Sequence, residues 1–220
     1  MRAPPCLETT RLRLRPRRRE DIDAILQFEL DPEVYRYSEI RPSVPVKDPD
    51  PSTLRKAIRS QILSGLPRNF WVVEWKDQPG LLGLAGLSPN PFGKEKDLLG
   101  FRFVRTAWGQ GIGAEAARAI LDHAFRVLKC PTVVAFSHAE NWRSRRVLDK
   151  IGMEHDHRIL VVEQRSLLSA PQSPPSARAR NFLNIKSTDS KYLCYRLERG
   201  TYMDRVGPPD RVAAQPDLLR

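Results

Sequence analysis

Three glycines alternate with single residues at the point where a predicted strand gives way to a predicted helix. Gly109, Gly111 and Gly113 follow a strand-like apolar stretch over residues 98–104, and helical spacing of apolar residues begins at Ala114. Glycine allows the backbone to approach a ligand closely, and the first amides of a helix are unpaired donors at the positive end of its dipole. The segment therefore predicts a site for an anionic group, such as the phosphates of a cofactor.

Two common nucleotide-binding motifs do not fit this segment. The dinucleotide fingerprint spaces its glycines G-x-G-x-x-G and places an acidic residue about 20 positions further on, whereas the spacing here is G-x-G-x-G. The phosphate-binding loop of nucleotide hydrolases requires G-x-x-x-x-G-K followed by Ser or Thr, and the sequence contains no such run.

The spacing instead resembles the pyrophosphate loop of the GNAT superfamily of acetyl-CoA-dependent N-acyltransferases. Their motif, [RQ]-x-x-G-x-[GA], falls on residues 108–113, with Trp108 in place of the first Arg or Gln. Trp in this position is similar to the branch of ribosomal-protein N-terminal (alanine or serine) acetyltransferases, whose loops often read W-G-x-G-x-x-x-E-A. The residues that match this form are Gly109, Gly111, Glu115 and Ala116.

Three further segments resemble the same family in the same order. Residues 7–16 resemble its opening strand, L-x-T-x-R-L-x-L-R-P, and residues 195–197 resemble its closing strand. Residues 141–153 resemble its helix N-x-x-S-x-R-V-L-E-K-x-G-F. The resemblance predicts one acetyltransferase domain over residues 7–200. Composition predicts a mobile Ser- and Pro-rich insertion at 164–187, or alternatively a lid that orders over the substrate, and a flexible tail at 201–220.

The hydrophobic periodicity gives the element order β-α-α-β-β-β-α-β-α-β-β, which is the order of that family. It predicts an α/β (α+β) fold with a mixed, mostly antiparallel sheet of about seven strands, flanked by about four helices. A helix over residues 52–64 is expected to be capped by Ser52 and to end at Gly65. By resemblance, the central strand at residues 101–104 should splay from the strand at 133–137.

The resemblance implies acetyl-CoA as the cofactor and assigns its contacts. Main-chain amides of the loop would grip the pyrophosphate, from Gly109, Gln110, Gly111, Ile112, Gly113 and Ala114. The pantetheine arm would run along the backbone edge of Phe103, Val104 and Arg105, where an amide could polarise the thioester.

Two residues at the start of the 141–151 helix complete the expected cofactor contacts. Asn141 would contact the cofactor arm, cap the helix, or do both. Ser144 would stabilise or protonate the departing thiolate, or would serve only as a first-turn capping hydroxyl. Arg145 and Arg146 either approach the nucleotide phosphate or are solvated helix charges.

The general base is less defined by the sequence. Members of this branch often carry Glu at the position that Leu98 occupies here, and the neighbouring Asp97 should point to the opposite face of the strand. His138 is a candidate because imidazole titrates near neutral pH. Glu140 and Glu115 are alternatives, although Glu115 also suits stabilisation of the helix N-terminus. A bound water that relays the amine proton would need no dedicated side chain.

The acceptor pocket is expected around the turn after the first helix. Glu33, Tyr35, Tyr37 and Glu39 surround this turn, and Trp71 begins the adjacent strand. Carboxylates there would attract a cationic amine, although the same residues could form ordinary amphipathic surface.

Composition excludes several classes of protein. The chain is 40% hydrophobic, and no apolar run approaches the about 20 residues that a membrane span needs. Cys6, Cys130 and Cys194 lack metal-ligand spacing and are interpreted as reduced thiols, so a cytoplasmic protein without metal or membrane is expected. The net charge of +11 favours anionic partners, but no aromatic-basic motif supports nucleic-acid binding.

The sequence thus predicts an acetyl-CoA-dependent N-acetyltransferase, monomeric or homodimeric, in which a primary amine attacks directly in a ternary complex. The amine would be a protein N-terminus or a small molecule. The main alternative is a catalytically silent acyl-CoA-binding or regulatory module on the same fold, because Leu98 replaces the expected carboxylate. A third hypothesis is a basic nucleic-acid-binding protein.

Overall fold

The computed structural model describes residues 4–37, 50–65, 69–89, 96–161 and 192–207. Within these ranges eight strands form one sheet in the spatial order β1-β2-β3-β4-β5-β6-β8-β7. In chain order the strands are β1 (Leu7–Glu8), β2 (Leu12–Pro16), β3 (Asn69–Trp75), β4 (Gly83–Pro89), β5 (Lys96–Phe103), β6 (Thr132–His138), β7 (Glu154–Val161) and β8 (Tyr192–Glu198).

Five α-helices accompany the sheet in the described ranges. They are α1 (Ile22–Leu30), α2 (Pro51–Ser64), α3 (Ile112–Asp122), α4 (Trp142–Lys150) and α5 (Arg199–Val206). A π-helical turn, His123–Val127, extends α3. The predicted mixed, mostly antiparallel architecture is confirmed, with the short β1 and the C-terminal α5 added to the predicted elements.

The central strands β5 and β6 run parallel and pair over only three positions. These are Lys96 with Thr132, Asp97 with Val133, and Leu98 with Val134. Beyond Leu98 strand β5 continues its antiparallel pairing with β4 as far as Phe103, while β6 continues its pairing with β8. The two strands therefore part and open a gap in the middle of the sheet, as predicted.

The two faces of the sheet carry separate cores. Alternate residues of a strand point to opposite faces. In β3, Trp71 and Val73 pack with α3, while Val72 packs with Ile25 of α1 and Leu54 of α2. Helices α1 and α2 therefore cover one face and α3 packs on the other, so that the end of α1 and the start of α3 lie on opposite sides of the sheet.

Helix α2 begins differently from the prediction. The carboxylate of Asp50 accepts hydrogen bonds from the backbone N–H groups of Ser52 and Thr53, so Asp50, not Ser52, is the N-cap. Pro51 then occupies the first helical position, where its missing N–H and fixed φ are tolerated. The C-terminal prediction is confirmed, because Gly65 ends the helix with a left-handed φ of 67°.

The first residues of the predicted flexible tail are helical in the structure. Residues 201–206 belong to α5, in which Tyr202 is buried and its ring lies 4.9 Å from that of Phe125. The guanidinium of Arg126 also donates to the Gly207 carbonyl at 2.7 Å. Apolar contact with the end of α3 orders this segment, a tertiary effect that local composition does not reveal. The insertion at 164–187, Glu39 and residues 208–220 lie outside the described residues.

The described residues contain neither a membrane-crossing helix nor a cluster of metal-binding side chains. None of their helices combines the length and apolar character that crossing a bilayer requires. No group of three or more His, Cys, Asp or Glu side chains in these ranges is placed to hold a metal ion.

Candidate active site

The glycine segment forms a tight turn into α3. Gly109 and Gly111 have left-handed φ angles of 78° and 79°, which glycine adopts without a steric penalty. The first helical hydrogen bond runs from the Glu115 amide to the Gly111 carbonyl at 3.1 Å. The preceding amides, those of Ile112, Gly113 and Ala114, therefore have no acceptor within the helix. No side chain of the described residues caps this end of α3, so three donors stand together at its positive pole.

Gly113 serves a different purpose from Gly109 and Gly111. A Cβ atom at this position would lie 3.3 Å from Cγ2 of Val147 and 3.4 Å from the ring of Phe103. The absent side chain lets the first turn of α3 pack closely against α4 and the end of β5. Gly113 thus allows the glycine loop to lie directly against α4 and beside the gap between β5 and β6.

Glu115 anchors the loop to the N-terminal part of the sheet. Its carboxylate accepts from the Thr9 hydroxyl at 2.5 Å, from the Arg11 amide at 3.0 Å and from the Arg11 guanidinium at 2.7 Å. Burial alone would raise the pKa of Glu115, but the hydrogen bonds from Thr9 and Arg11 outweigh it and the net pKa is lowered. Because its oxygens are engaged in this way, Glu115 supports the loop and is a poor candidate for the general base.

Some backbone groups at the end of β5 already form hydrogen bonds within the protein. The Val104 amide donates to the Leu82 carbonyl at 2.8 Å, and the Phe103 carbonyl accepts from the Trp108 indole at 2.8 Å. Because backbone groups alternate in direction along a strand, the amides of Phe101 and Phe103 point into the gap instead. The predicted free edge over residues 103–105 is therefore wrong at Val104, and the gap-facing amides are those of Phe101 and Phe103.

A cleft of about 810 Å³ lies beside this edge. Its lining joins the turn after α1 to the loop before α3 and to the first turn of α4. The lining residues are Asp31, Glu33, Arg36, Val104, Arg105, Thr106, Trp108 and Arg143. The structure thus brings three predicted site residues, Glu33, Val104 and Arg105, to one cavity. Its two carboxylates come from the turn after α1, as does Arg36, which lies 3.7 Å from the Glu33 carboxylate. Arg105 and Arg143 come from the loop and from α4.

Asn141 and Ser144 lie at the start of α4, as the sequence predicts. The side-chain oxygen of Asn141 accepts the Ser144 amide at 3.1 Å, so Asn141 is the N-cap of the helix. This bond uses the oxygen and leaves the amide nitrogen of Asn141 outside the cap. Ser144 is half-buried one turn into the helix. The capping role of Asn141 is therefore established, and it leaves a donor for a second contact.

The arginines of α4 are not equivalent. Arg145 donates to the Ala139 carbonyl at 3.0 Å and to the Tyr195 hydroxyl at 3.3 Å, so its guanidinium holds the loop before α4. Arg146 is exposed. Arg143, to which the sequence assigns no role, lines the cleft and lies over the rings of both Trp108 and Trp142. The sequence gives no signal for it, because the contact joins two separate elements.

His138 lies at the end of β6 in an aromatic cluster. Its ring is 5.5 Å from that of Tyr37 and 5.4 Å from that of Tyr192, whose hydroxyl donates to the Tyr37 carbonyl. Its Nδ1 accepts the Glu140 amide at 3.2 Å, which assigns the proton of the neutral ring to Nε2. In this arrangement the imidazole is a donor rather than a ready base. Glu140 is exposed and contributes its backbone here.

Two of the predicted acceptor residues are buried. Trp71 has no exposed surface; its indole donates to the Pro5 carbonyl and meets the ring of His123 edge-on. The prediction for Trp71 is wrong because its side chain points to the α3 face, away from the turn after α1. Tyr35 is buried with its ring beneath the Arg102 guanidinium, at 4.9 Å. Glu33 lines the cleft, and Tyr37 contacts His138.

The start of β5 does not supply a base. Leu98 packs against Val134, Tyr192 and Cys194. The Asp97 carboxylate accepts the Cys130 thiol at 2.7 Å, near the closed end of the β5–β6 pair. Burial first, and then Asp97, raise the pKa of Cys130 to about 12, so this thiol stays protonated and inert.

Comparison with known proteins gives consistent matches. A sequence model described as "Acetyltransferase (GNAT) domain" matches residues 11–154. An uncharacterized N-acetyltransferase, p20, from Bacillus licheniformis is 27% identical over 150 residues, which are 68% of this chain and 83% of p20.

Solved structures share the fold. A GNAT-family acetyltransferase from Bacillus anthracis matches with a TM-score of 0.66 and 18% identity, over 89% of this chain and 99% of its own. Spermidine N-acetyltransferase from Vibrio cholerae, solved with CoA and spermine, matches with a TM-score of 0.63 and 17% identity, over 89% and 99% of the two chains.

Proposed function

This chain belongs to the acetyltransferase (GNAT) family and is an N-acetyltransferase, and from that premise we propose that it transfers the acetyl group of acetyl-CoA to a primary amine by direct attack in a ternary complex. One observation carries the proposal. The gap between β5 and β6 opens beside a helix start that presents the uncapped amides of Ile112, Gly113 and Ala114. A diphosphate and an extended arm need this combination of anion donors and an adjoining slot.

The loop suits a diphosphate for two physical reasons. The left-handed turn at Gly109 and Gly111 brings main-chain N–H groups to the surface without a Cβ in front of them. The positive end of α3 adds a favourable field for a doubly charged group. The bonds of Glu115 to Thr9 and Arg11 hold the loop in this shape before any ligand arrives, which lowers the entropic cost of binding.

The gap suits the pantetheine arm. The amides of Phe101 and Phe103 point into it and can pair with the arm as a neighbouring strand would. The amide nitrogen of Asn141 provides a further donor from the start of α4. An amide in the gap also stabilises the charge that develops on the thioester oxygen during attack.

The turn after α1 suits the acceptor amine. Two carboxylates line the cleft; that of Glu33 lies 3.7 Å from the Arg36 guanidinium, so that of Asp31 is the stronger attraction for a cationic group. Asp31 also accepts the Glu33 amide at 2.9 Å, which fixes the turn. A small polyamine and a protein N-terminus both present such a cation; the tryptophan-containing loop favours a protein N-terminus, as in the ribosomal-protein branch.

The chemistry requires one proton to leave the amine and one to reach the sulfur. Acetyl-CoA supplies an activated acyl group; the amine nitrogen bonds to its carbonyl carbon as the carbon–sulfur bond breaks. In the proposed reaction Ser144, half-buried in the first turn of α4, passes its hydroxyl proton to the departing sulfur and regains a proton from the water that accepts the amine proton. Water in the cleft takes the amine proton, since Glu115 is occupied and Nδ1 of His138 already accepts a hydrogen bond.

A thiol-release assay on a panel of amines and N-terminal peptides tests the proposal. Turnover with at least one primary amine, dependent on acetyl-CoA, is the expected result. Saturable CoA binding without turnover on any acceptor would favour the silent acyl-CoA-binding module instead. Steeply salt-dependent RNA or DNA binding with no affinity for CoA would favour a nucleic-acid-binding protein.

A further inference from the structure

The guanidinium of Arg143 lies over two tryptophan rings, one of which directly precedes the glycine loop. The centre of its guanidinium is 5.3 Å from the ring centroid of Trp108 and 4.7 Å from that of Trp142. Trp108 directly precedes Gly109, and Trp142 is the first residue of α4. The side chain of Arg143 therefore reaches from α4 to the loop and fixes a positive charge beside it.

Within the described part of the chain, the N–H donors of this guanidinium make no hydrogen bond to another residue. Among the residues that the structure describes, the contacts of Arg143 are the two indole rings, and no carboxylate pairs with it. A cation–π contact uses none of the N–H donors of a guanidinium in conventional hydrogen bonds, so these donors are available to a ligand. Arg145 and Arg11, in contrast, donate to acceptors within the protein.

The position of Arg143 favours an anion over the acceptor amine. Its side chain lines the same cleft as Asp31 and Glu33, but it comes from the opposite side, from α4. A cationic amine would be repelled by this guanidinium and attracted by the carboxylates. The start of α3, which Trp108 and Gly109 precede, offers its donors to a phosphate-bearing ligand.

We propose that Arg143 is a phosphate-binding residue that completes the diphosphate site from α4, with Trp108 and Trp142 holding its guanidinium in position. The inference rests on the proposed function, because the phosphates belong to CoA. Trp142 is 55% exposed even with the guanidinium over its ring, so it lies at the surface, where it can hold the Arg143 side chain within reach of a ligand. The two rings restrict the flexible Arg side chain before the ligand binds, so less conformational entropy is lost on binding.

Calorimetric titration of wild type and variants with CoA and with pantetheine tests the inference. Arg143→Gln should weaken CoA binding by about tenfold to a hundredfold, the range for loss of one charge-assisted hydrogen bond, and leave pantetheine binding unchanged. Arg143→Lys keeps the charge but loses the planar donors, so its affinity for CoA should lie between those of wild type and Arg143→Gln. Arg59→Gln removes an equal charge from an exposed site on α2 and should bind CoA like wild type.

The tryptophans give a second, independent readout. Trp142→Leu should weaken CoA binding less than Arg143→Gln does, and the double variant should be no weaker than Arg143→Gln alone, because both changes act through one guanidinium. Equal CoA affinity of wild type and Arg143→Gln, or an equal loss of pantetheine affinity, would overturn the inference while the proposed function stands. Failure of the wild type itself to bind CoA would overturn the proposed function instead.

Discussion

Glu115 in the first turn of α3 accepts both the main-chain amide and the guanidinium of Arg11, at 3.0 and 2.7 Å, so the residue before β2 is tied to the glycine loop. Arg11 also donates to the Gln110 carbonyl at 3.1 Å. The N-terminal part of the sheet therefore determines the shape of a loop about one hundred residues later in the chain. The link makes loop geometry and overall stability interdependent.

Replacement of Glu115 should affect both properties. Glu115→Ala removes the acceptor for Thr9 and Arg11 in a half-buried position, and we expect a loss of about 1–3 kcal/mol in the free energy of unfolding together with weaker CoA binding. Urea denaturation and calorimetry measure the two effects. Glu154→Ala breaks an exposed ion pair with Arg205 and is the control; it should alter neither quantity appreciably. Equal behaviour of the two variants would contradict the anchoring role.

Ser144→Ala should slow turnover and leave cofactor binding nearly intact. The hydroxyl lies one turn after the Asn141 cap, and the cap accepts the Ser144 amide, which the variant retains. We expect kcat to fall by about a hundredfold or more, as for the loss of a general acid, with the Kd for CoA within about twofold. Steady-state kinetics and calorimetry separate the two; an unchanged kcat would remove the proposed role of Ser144.

Stability should fall on mild acidification because of His123. Burial lowers the pKa of this imidazole below its ordinary value near 6.5, so between the two values the unfolded chain binds more protons than the folded one. The contribution of neutral His123 to the free energy of unfolding is complete above about pH 6.5. It is lost as the pH falls towards the pKa of His123 in the folded protein. His123→Phe should show a flatter dependence of unfolding free energy on pH between about 7 and 5. An equal slope in both proteins would contradict this.

The three cysteines should differ in reactivity. Cys6 is exposed, Cys194 is buried, and Cys130 is buried with its pKa raised to about 12. At pH 8 a chromogenic disulfide reagent should modify Cys6 rapidly and the other two thiols only after denaturation. Cys6→Ser should abolish the rapid phase. Rapid modification of Cys130 in the folded protein would contradict its proposed burial against Asp97.

The positions that the sequence predicts well are those where the chemistry is local. Gly109 and Gly111 indicate a left-handed turn before a helix, and Asn141 indicates a helix N-cap. In each case one residue type satisfies a local backbone requirement. The separation of β5 from β6 is predicted only by the family resemblance. The residues of the two strands give no local reason why their pairing ends at Leu98.

The positions that the sequence does not predict depend on contacts across the fold. Residues 70–73 are continuously apolar, so their pattern cannot show which face of the sheet Trp71 occupies. The end of α3 buries Tyr202 and so orders a segment that composition leaves undefined. The stacking of Arg143 joins α4 to the loop, and no spacing along the chain encodes that contact.

A calorimetric titration with CoA, comparing Gly111→Leu with Gly65→Leu, tests the central claim most directly. Both glycines have left-handed φ angles at helix ends, 79° and 67°, so a leucine strains both backbones alike, but only Gly111 adjoins the uncapped amides of α3. The account predicts saturable binding by wild type and by Gly65→Leu, and none by Gly111→Leu in a folded protein. Absence of binding by wild type, or equal affinity of the two variants, would contradict it.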